Sequence, residues 1–226
     1  CEKGSADLRS LRTLVLDEAD RMLDMGFRGD VMKIADYCAP GKQVLMLSAT
    51  LKHKGLGGIA KALLQDPEKI AVGQVRQPHS RIFHQLELAD GQPHKDKLVL
   101  AMLQQGSFRR ALVCGNKRSS AVRMASLLQH HKLRCGCLHG EMSTEERKHV
   151  MHQFSDGKVT VVCASDVAAR GLDVKDIDLV VNYDIPHSGD VYLHRNGRSG
   201  RAGAQGLAVS LVCAAECNLL IGIELY

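Results

Sequence analysis

The chain has 226 residues, 45% of them apolar, and a formal net charge of +5 at pH 7. That length suits two domains, each able to bury a core, and the cationic balance leans toward an anionic partner. No apolar run approaches a membrane span and no signal peptide opens the chain, so neither a membrane protein nor a secreted one is expected.

The first residues read as mid-domain sequence, because a strand begins almost at once at Leu11 to Leu16. Its consecutive Leu14, Val15 and Leu16 suit a strand buried on both faces of a parallel sheet. It runs directly into Asp17-Glu18-Ala19-Asp20. Residues 21 to 38 carry apolar side chains at helical spacing (Met22, Leu23, Phe27, Val31, Ile34), closed by Pro40-Gly41. Gln43 to Leu47 predicts a second buried strand, ending in Ser48-Ala49-Thr50. A helix through Ile59 to Leu64 stops at Asp66-Pro67, and Ile70 to Val72 predicts a third strand. Strands alternating with helices mean βαβ units and a parallel sheet.

Periodicity fades between Gly73 and His94, which reads as a linker that holds one short strand at Ile82 to Leu88. A second α/β series follows. Lys95 to Leu103 and Lys117 to His131 predict helices, and Ala111 to Cys114 and Cys135 to Leu138 predict strands. Ser143, with Glu146 three residues on, forms a capping box that opens a helix. Val159 to Ala164, Leu179 to Asn182 and Leu207 to Val212 complete the strands. The expected domains are therefore residues 1–73, a linker at 74–94, and residues 95–226.

The eight cysteines include Cys114, Cys163 and Cys213 inside apolar runs, and no C-x-x-C pair occurs. Reduced, buried thiols in a cytoplasmic protein are expected, not a disulfide framework. The eleven histidines are scattered without the spacing of metal ligands.

In open α/β sheets, ligands sit at the carboxyl ends of the strands, and the polar clusters fall there. Asp17 and Glu18, directly after an apolar strand, suit a divalent cation held by hard oxygen ligands; two acids offsetting the dipole of a following helix explain them equally well. Near the end of the chain, His194, Arg195, Arg198 and Arg201 stand among Gly197, Gly200 and Gly203. Planar guanidinium forks match phosphate oxygens, and glycines admit a polyanion closely. A solvated basic loop is the plain alternative.

Taken in order, the motifs resemble one family. Asp17-Glu18-Ala19-Asp20 continues as Arg21-Met22-Leu23-Asp24-Met25-Gly26-Phe27. Then come Ser48-Ala49-Thr50, Leu138-His139-Gly140, Ser165-Asp166-Val167-Ala168-Ala169-Arg170-Gly171-Leu172-Asp173 and Asn182-Tyr183-Asp184-Ile185-Pro186. His194-Arg195 with Gly197, Arg198 and Arg201 closes the series. This order and spacing resembles the DEAD-box RNA helicases across nearly the whole chain, and within them the bacterial members that act in ribosome assembly.

The resemblance implies an α/β fold of tandem RecA-like parallel sheets, the first domain incomplete and the second complete or nearly so. It implies ATP and Mg²⁺ as cofactors and single-stranded or duplex RNA as partner, gripped by its sugar-phosphate backbone. Asp17 is expected to help hold Mg²⁺ through water, and Glu18 to orient or deprotonate the water that attacks the γ-phosphate. Arg198 and Arg201 are expected as arginine fingers, and Asp173 on the ribose. Asp20, Ser48, Thr50 and His194 are expected to couple the two domains. Gly140, Arg147 and Ser165 are expected on the RNA backbone, where contacts position a strand without reading its sequence. The scarcity of aromatics, with four Phe, four Tyr and no Trp, argues against a stacking platform.

Some positions depart from the family pattern. Thr144 stands where Gln is usual ahead of Arg147, Cys114 for a common Phe and Asn196 for an apolar residue, while Ser165 and Ser199 replace Thr. A phosphate-cradling G-x-x-x-x-G-K-[ST] is absent, since Gly41-Lys42 leads into Gln43 and Gly157-Lys158 into Val159. The chain therefore reads as a fragment that is inactive alone, with residues 95–226 folding independently and residues 1–72 marginal, their sheet left with an exposed apolar edge. The competing reading is a non-catalytic RNA-binding module that keeps the helicase outline. A DNA helicase of a related superfamily fits the motif combination less well.

Overall fold

The computed structural model describes residues 6–48, 55–71, 81–106, 108–169, 177–200 and 204–224. The chain divides into two compact units, Cys1–Val75 and Arg76–Tyr226.

In the first unit, β1 (Thr13–Leu16) and β2 (Gln43–Met46) pair in parallel, Leu14 against Val44 and Leu16 against Met46. Between them run α1 (Ala19–Asp24) and α2 (Arg28–Tyr37), and α3 (Leu56–Leu63) follows. The single helix expected over 21–38 is two, because Gly26 sits at φ 80°, a left-handed turn that breaks the helical path. Leu16, Ala19, Val31 and Leu56 form a small core. The double-sided burial expected of β1 is not found: Val15 is 50% exposed and Leu45 on β2 is 42% exposed, so one face of this pair is open among the described residues. Ile70 and Ala71 form no strand, and Ile70 is largely exposed; Val72 lies outside the described residues.

The second unit is built on six parallel strands: β3 (Ile82–Leu88), β4 (Ala111–Gly115), β5 (Cys135–Leu138), β6 (Val161–Ser165), β7 (Leu179–Asn182) and β8 (Gly206–Val212). Their spatial order is β3-β8-β7-β4-β6-β5. Part of the expected linker is thus an edge strand, hydrogen-bonded to β8 from Ile82 to Leu88. Helices α4 (Gln92–Gln105) and α5 (Arg118–His130) cover one face. Their Val99, Leu103, Met124 and Leu128 pack on Val113, Cys163 and Val181. The other face is covered by α6 (Thr144–Ser155) and the single-turn α7 (Asp166–Ala169), through Phe154, Ala168 and Ala169. Helix α8 (Gly189–Asn196) follows β7, and a 3₁₀ turn (Ala214–Glu216) leads into α9 (Cys217–Glu224). The continuous apolar runs of β4, β6 and β7 are buried at every residue, as strands covered on both faces require.

The expected capping box is present. The Ser143 hydroxyl accepts from the Glu146 N–H at 3.2 Å, and the Ser143 N–H donates to Glu146 Oε2 at 2.8 Å. Because all six strands run the same way, every loop that leaves a carboxyl end lies on one rim.

Candidate nucleotide and nucleic-acid site

The rim of the first unit carries the acid pair. Glu18 occupies the left-handed region at φ 51°, a conformation that a side chain other than Gly adopts at a cost and that concentrates at functional sites. This twist lets the Ala19 N–H donate to Leu47 O at 3.0 Å, joining the exits of β1 and β2. Asp17 is exposed, and its Oδ1 accepts the Glu18 N–H at 2.9 Å. Asp20 is buried, 4% exposed, with Oδ1 accepting the Arg21 N–H at 3.0 Å. Ser48 stands half-buried one residue beyond Leu47. Asp17, Glu18, Asp20 and Ser48 are thus gathered on one rim; Thr50 lies outside the described residues.

The rim of the second unit gathers the residues assigned to RNA. Leu138 pairs with Ala164, so the loops after β5 and β6 leave side by side. The first carries the exposed Gly140, where an added Cβ would meet Val167 Cγ1 at 3.7 Å, an ordinary contact. The second carries Ser165, buried at the end of β6. Arg147 on α6 donates from Nη2 to Ala168 O at 2.7 Å, drawing α6 onto α7.

Near the same rim, α8 ends in His194, Arg195 and Asn196. The Arg198 Nε donates to His194 O at 3.2 Å, and His194 Nδ1 is buried without a hydrogen-bond partner. Asp173 and Arg201 lie outside the described residues. The basic cluster is not all available to a phosphate, nor is it all a solvated loop: Arg195 is 2% exposed and bonded into the rim. Its Nε donates to Asp166 Oδ1, its Nη1 to Asp184 O and its Nη2 to Asn116 Oδ1, each at 2.6 Å. Spacing alone misses this, because the partners lie in loops far apart in sequence. The available signal is a short polar residue one position beyond a strand end, Asn116 or Asp166; Asp184 takes part through its main-chain carbonyl, which no residue type marks.

Cys114, at the end of β4, stands where the family resemblance sets an aromatic residue. Burial pushes its thiol up to about 12, which keeps it neutral. The described cysteines are all free thiols, Cys217 exposed and Cys38, Cys114, Cys135 and Cys163 buried. No group of three or more His, Cys, Asp or Glu among the described residues is arranged to hold a metal ion. No helix among them is long and apolar enough to cross a membrane.

Two family models match the chain: DEAD/DEAH box helicase over residues 2–56 and Helicase conserved C-terminal domain over residues 94–203. The ATP-dependent RNA helicase SrmB of Escherichia coli is 40% identical over 216 residues, covering 96% of this chain and 48% of that protein. A solved structure of the E. coli DEAD-box protein SrmB bound to regulator of ribonuclease activity A is 37% identical, with a TM-score of 0.61; the match covers 67% of this chain and 87% of that one. The Saccharomyces cerevisiae Dbp5 structure bound to RNA and ADP BeF3 matches at 25% identity and a TM-score of 0.89, covering 100% of this chain and 59% of that one. The chain spans about half the length of the curated relatives first matched.

Proposed function

Because the chain belongs to the DEAD-box helicase family, we propose that it supplies the hydrolysis carboxylates, the arginine fingers and part of the RNA grip of an ATP-dependent RNA helicase. In this reading residues 1–73 are the later part of a first RecA-like domain, 95–226 are the second, and the protein works in the cytoplasm. The observation that carries the reading is Glu18, fixed in a left-handed conformation at a strand end beside an exposed Asp17.

Glu18 orients or deprotonates the attacking water, and the fixed backbone around it limits where its carboxylate can stand. Asp17 suits Mg²⁺ held through water, since it offers hard oxygen at an exposed rim position. When bound, the ion neutralises charge on the phosphate oxygens. Arg198 and Arg201 neutralise the charge that develops on the transferring phosphoryl group, and Asp173 bonds the ribose. Phosphoryl transfer asks for positioning and positive charge more than covalent chemistry. Hydrolysis therefore waits on the arginines meeting the nucleotide held by the first unit. Asp20, Ser48, Thr50 and His194 couple the two units, and Gly140, Arg147 and Ser165 hold the RNA backbone.

The test is RNA-stimulated phosphate release by the full-length protein. Glu18→Gln is expected to lower turnover at least about 100-fold while ATP-dependent RNA binding persists. RNA binding that ignores ATP, with no phosphate released by the wild type, would instead make the chain a non-catalytic RNA-binding module.

A further inference from the structure

We propose that Arg195 is a positioning residue: its buried guanidinium fastens the segments leaving β4, β6 and β7 into one arrangement and so sets where its neighbours His194 and Arg198 stand. Only the roles of those two neighbours rest on the proposed function; the clamp itself rests on geometry.

Three segments meet on one side chain. Asp166 opens α7 directly after β6, Asn116 follows β4, and Asp184 follows β7; the Asp166 carboxylate, the Asn116 amide and the Asp184 main-chain carbonyl each place an oxygen 2.6 Å from an Arg195 nitrogen. The loops after β4 and β7 are joined a second time, where the Asn116 N–H donates to Asp184 Oδ2 at 2.9 Å. Gly115 permits this closeness, since a Cβ there would lie 2.8 Å from Ser120 Cβ and 3.3 Å from Asp184 Oδ2. A guanidinium so enclosed has no fork left to offer a phosphate. Its charge is balanced by Asp166, whose side chain is 15% exposed, and removing one partner of such a pair leaves an uncompensated buried charge.

The clamp continues beneath α8. Asn182 Nδ2 donates to Asn196 Oδ1 at 3.0 Å and to Ser210 Oγ at 3.1 Å, all three residues buried. Asn196 is one of the positions where this chain departs from the family's apolar pattern. Here that polar side chain ties the last turn of α8 to Asn182 of β7, which in turn bonds Ser210 of β8. Arg198 takes its place from the same turn through its bond to His194 O. A shift of the loops thus displaces the segment that carries His194 and Arg198, and small misplacements of such groups cost rate out of proportion to their size.

Two variants of the full-length protein test the proposal: Asn116→Ala, which removes one acceptor, and Arg195→Lys, which keeps the charge and loses the fork. Each is expected to lower kcat for RNA-stimulated phosphate release about tenfold or more and to leave KM for ATP within about twofold, because neither residue touches the nucleotide. The double variant is expected to fall no further than the worse single, since both act through one clamp. A rise in KM at unchanged kcat, or losses that multiply, overturns the proposal. Hydrogen exchange reads the clamp without catalysis. Amides at Asn116, Ile185 and Arg198 are expected to lose protection together in either variant while Val162 to Ala164 stay protected. Changes confined to the substituted residue's own loop overturn it. If the wild type releases no phosphate, the helicase reading fails, and exchange alone decides the clamp.

Discussion

Lys95 enters the second unit as a nearly inaccessible ammonium, 3% exposed, donating to Tyr183 O at 2.8 Å and to Glu216 Oε2 at 2.5 Å. Burial pushes the Glu216 carboxyl up. Hydrogen bonds from Lys95 and from the Cys213 thiol and N–H outweigh that and hold it below its ordinary value of 4.5. A carboxylate depressed in this way adds stability that is full above 4.5 and fades as pH falls through the folded value. Glu216→Gln is therefore expected to destabilise the second unit by about 3 kcal/mol at neutral pH, because it leaves the ammonium unpaired. Urea unfolding should show that gap narrowing as pH drops below about 4.5; a gap equal at pH 7 and pH 4 contradicts the pairing. Little of this was legible in the sequence. Lys95 and Glu216 lie 121 residues apart, and Arg195 and Asn116 lie 79 apart. No local pattern marks a charge that is neutralised across such distances. The Asp17-Glu18 pair was legible because an apolar strand running into two acids is a local signature.

At the scale of elements, the strands of the second sheet were the clearest reading. Cys135–Leu138 and Leu179–Asn182 stand as expected, and Leu179–Asn182 is buried at every residue, as an unbroken apolar run suggests. The first unit was harder. Apolar spacing continued through Met25-Gly26-Phe27, so the pattern gave one helix where the left-handed Gly26 makes two. The apolar run of β1 pointed to two buried faces, yet Val15 is half exposed; hydrophobicity states what a strand can bury, not what is present to cover it. The helix that carries Arg147 begins at the Ser143–Glu146 box, whose hydrogen bonds hold the Glu146 carboxylate below its ordinary range. Ser143→Ala is expected to cost about 1 kcal/mol, and Ser143→Gly only a few tenths. Faster amide exchange at Glu146 and Arg147 would report the loss, and equal exchange in Ser143→Ala and wild type would refute it.

At the scale of the molecule, the two units present two different rims. The first holds carboxylates with little sheet behind them. The second holds an arginine segment on a six-stranded sheet whose central strands β4, β6 and β7 are buried at every residue. Both rims serve one reaction in the proposed function, which follows the family's motifs, Asp17 and Glu18 in the first unit and Arg198 in the second. The most direct measurement is a double-mutant cycle on RNA-stimulated phosphate release in the full-length protein, with Glu18→Gln and Arg198→Lys. Each single is expected to lower kcat by at least about 100-fold, and the double no further than the worse single, because the two groups act in one step. Losses that multiply, or an Arg198→Lys protein with unchanged kcat, would contradict a shared nucleotide site.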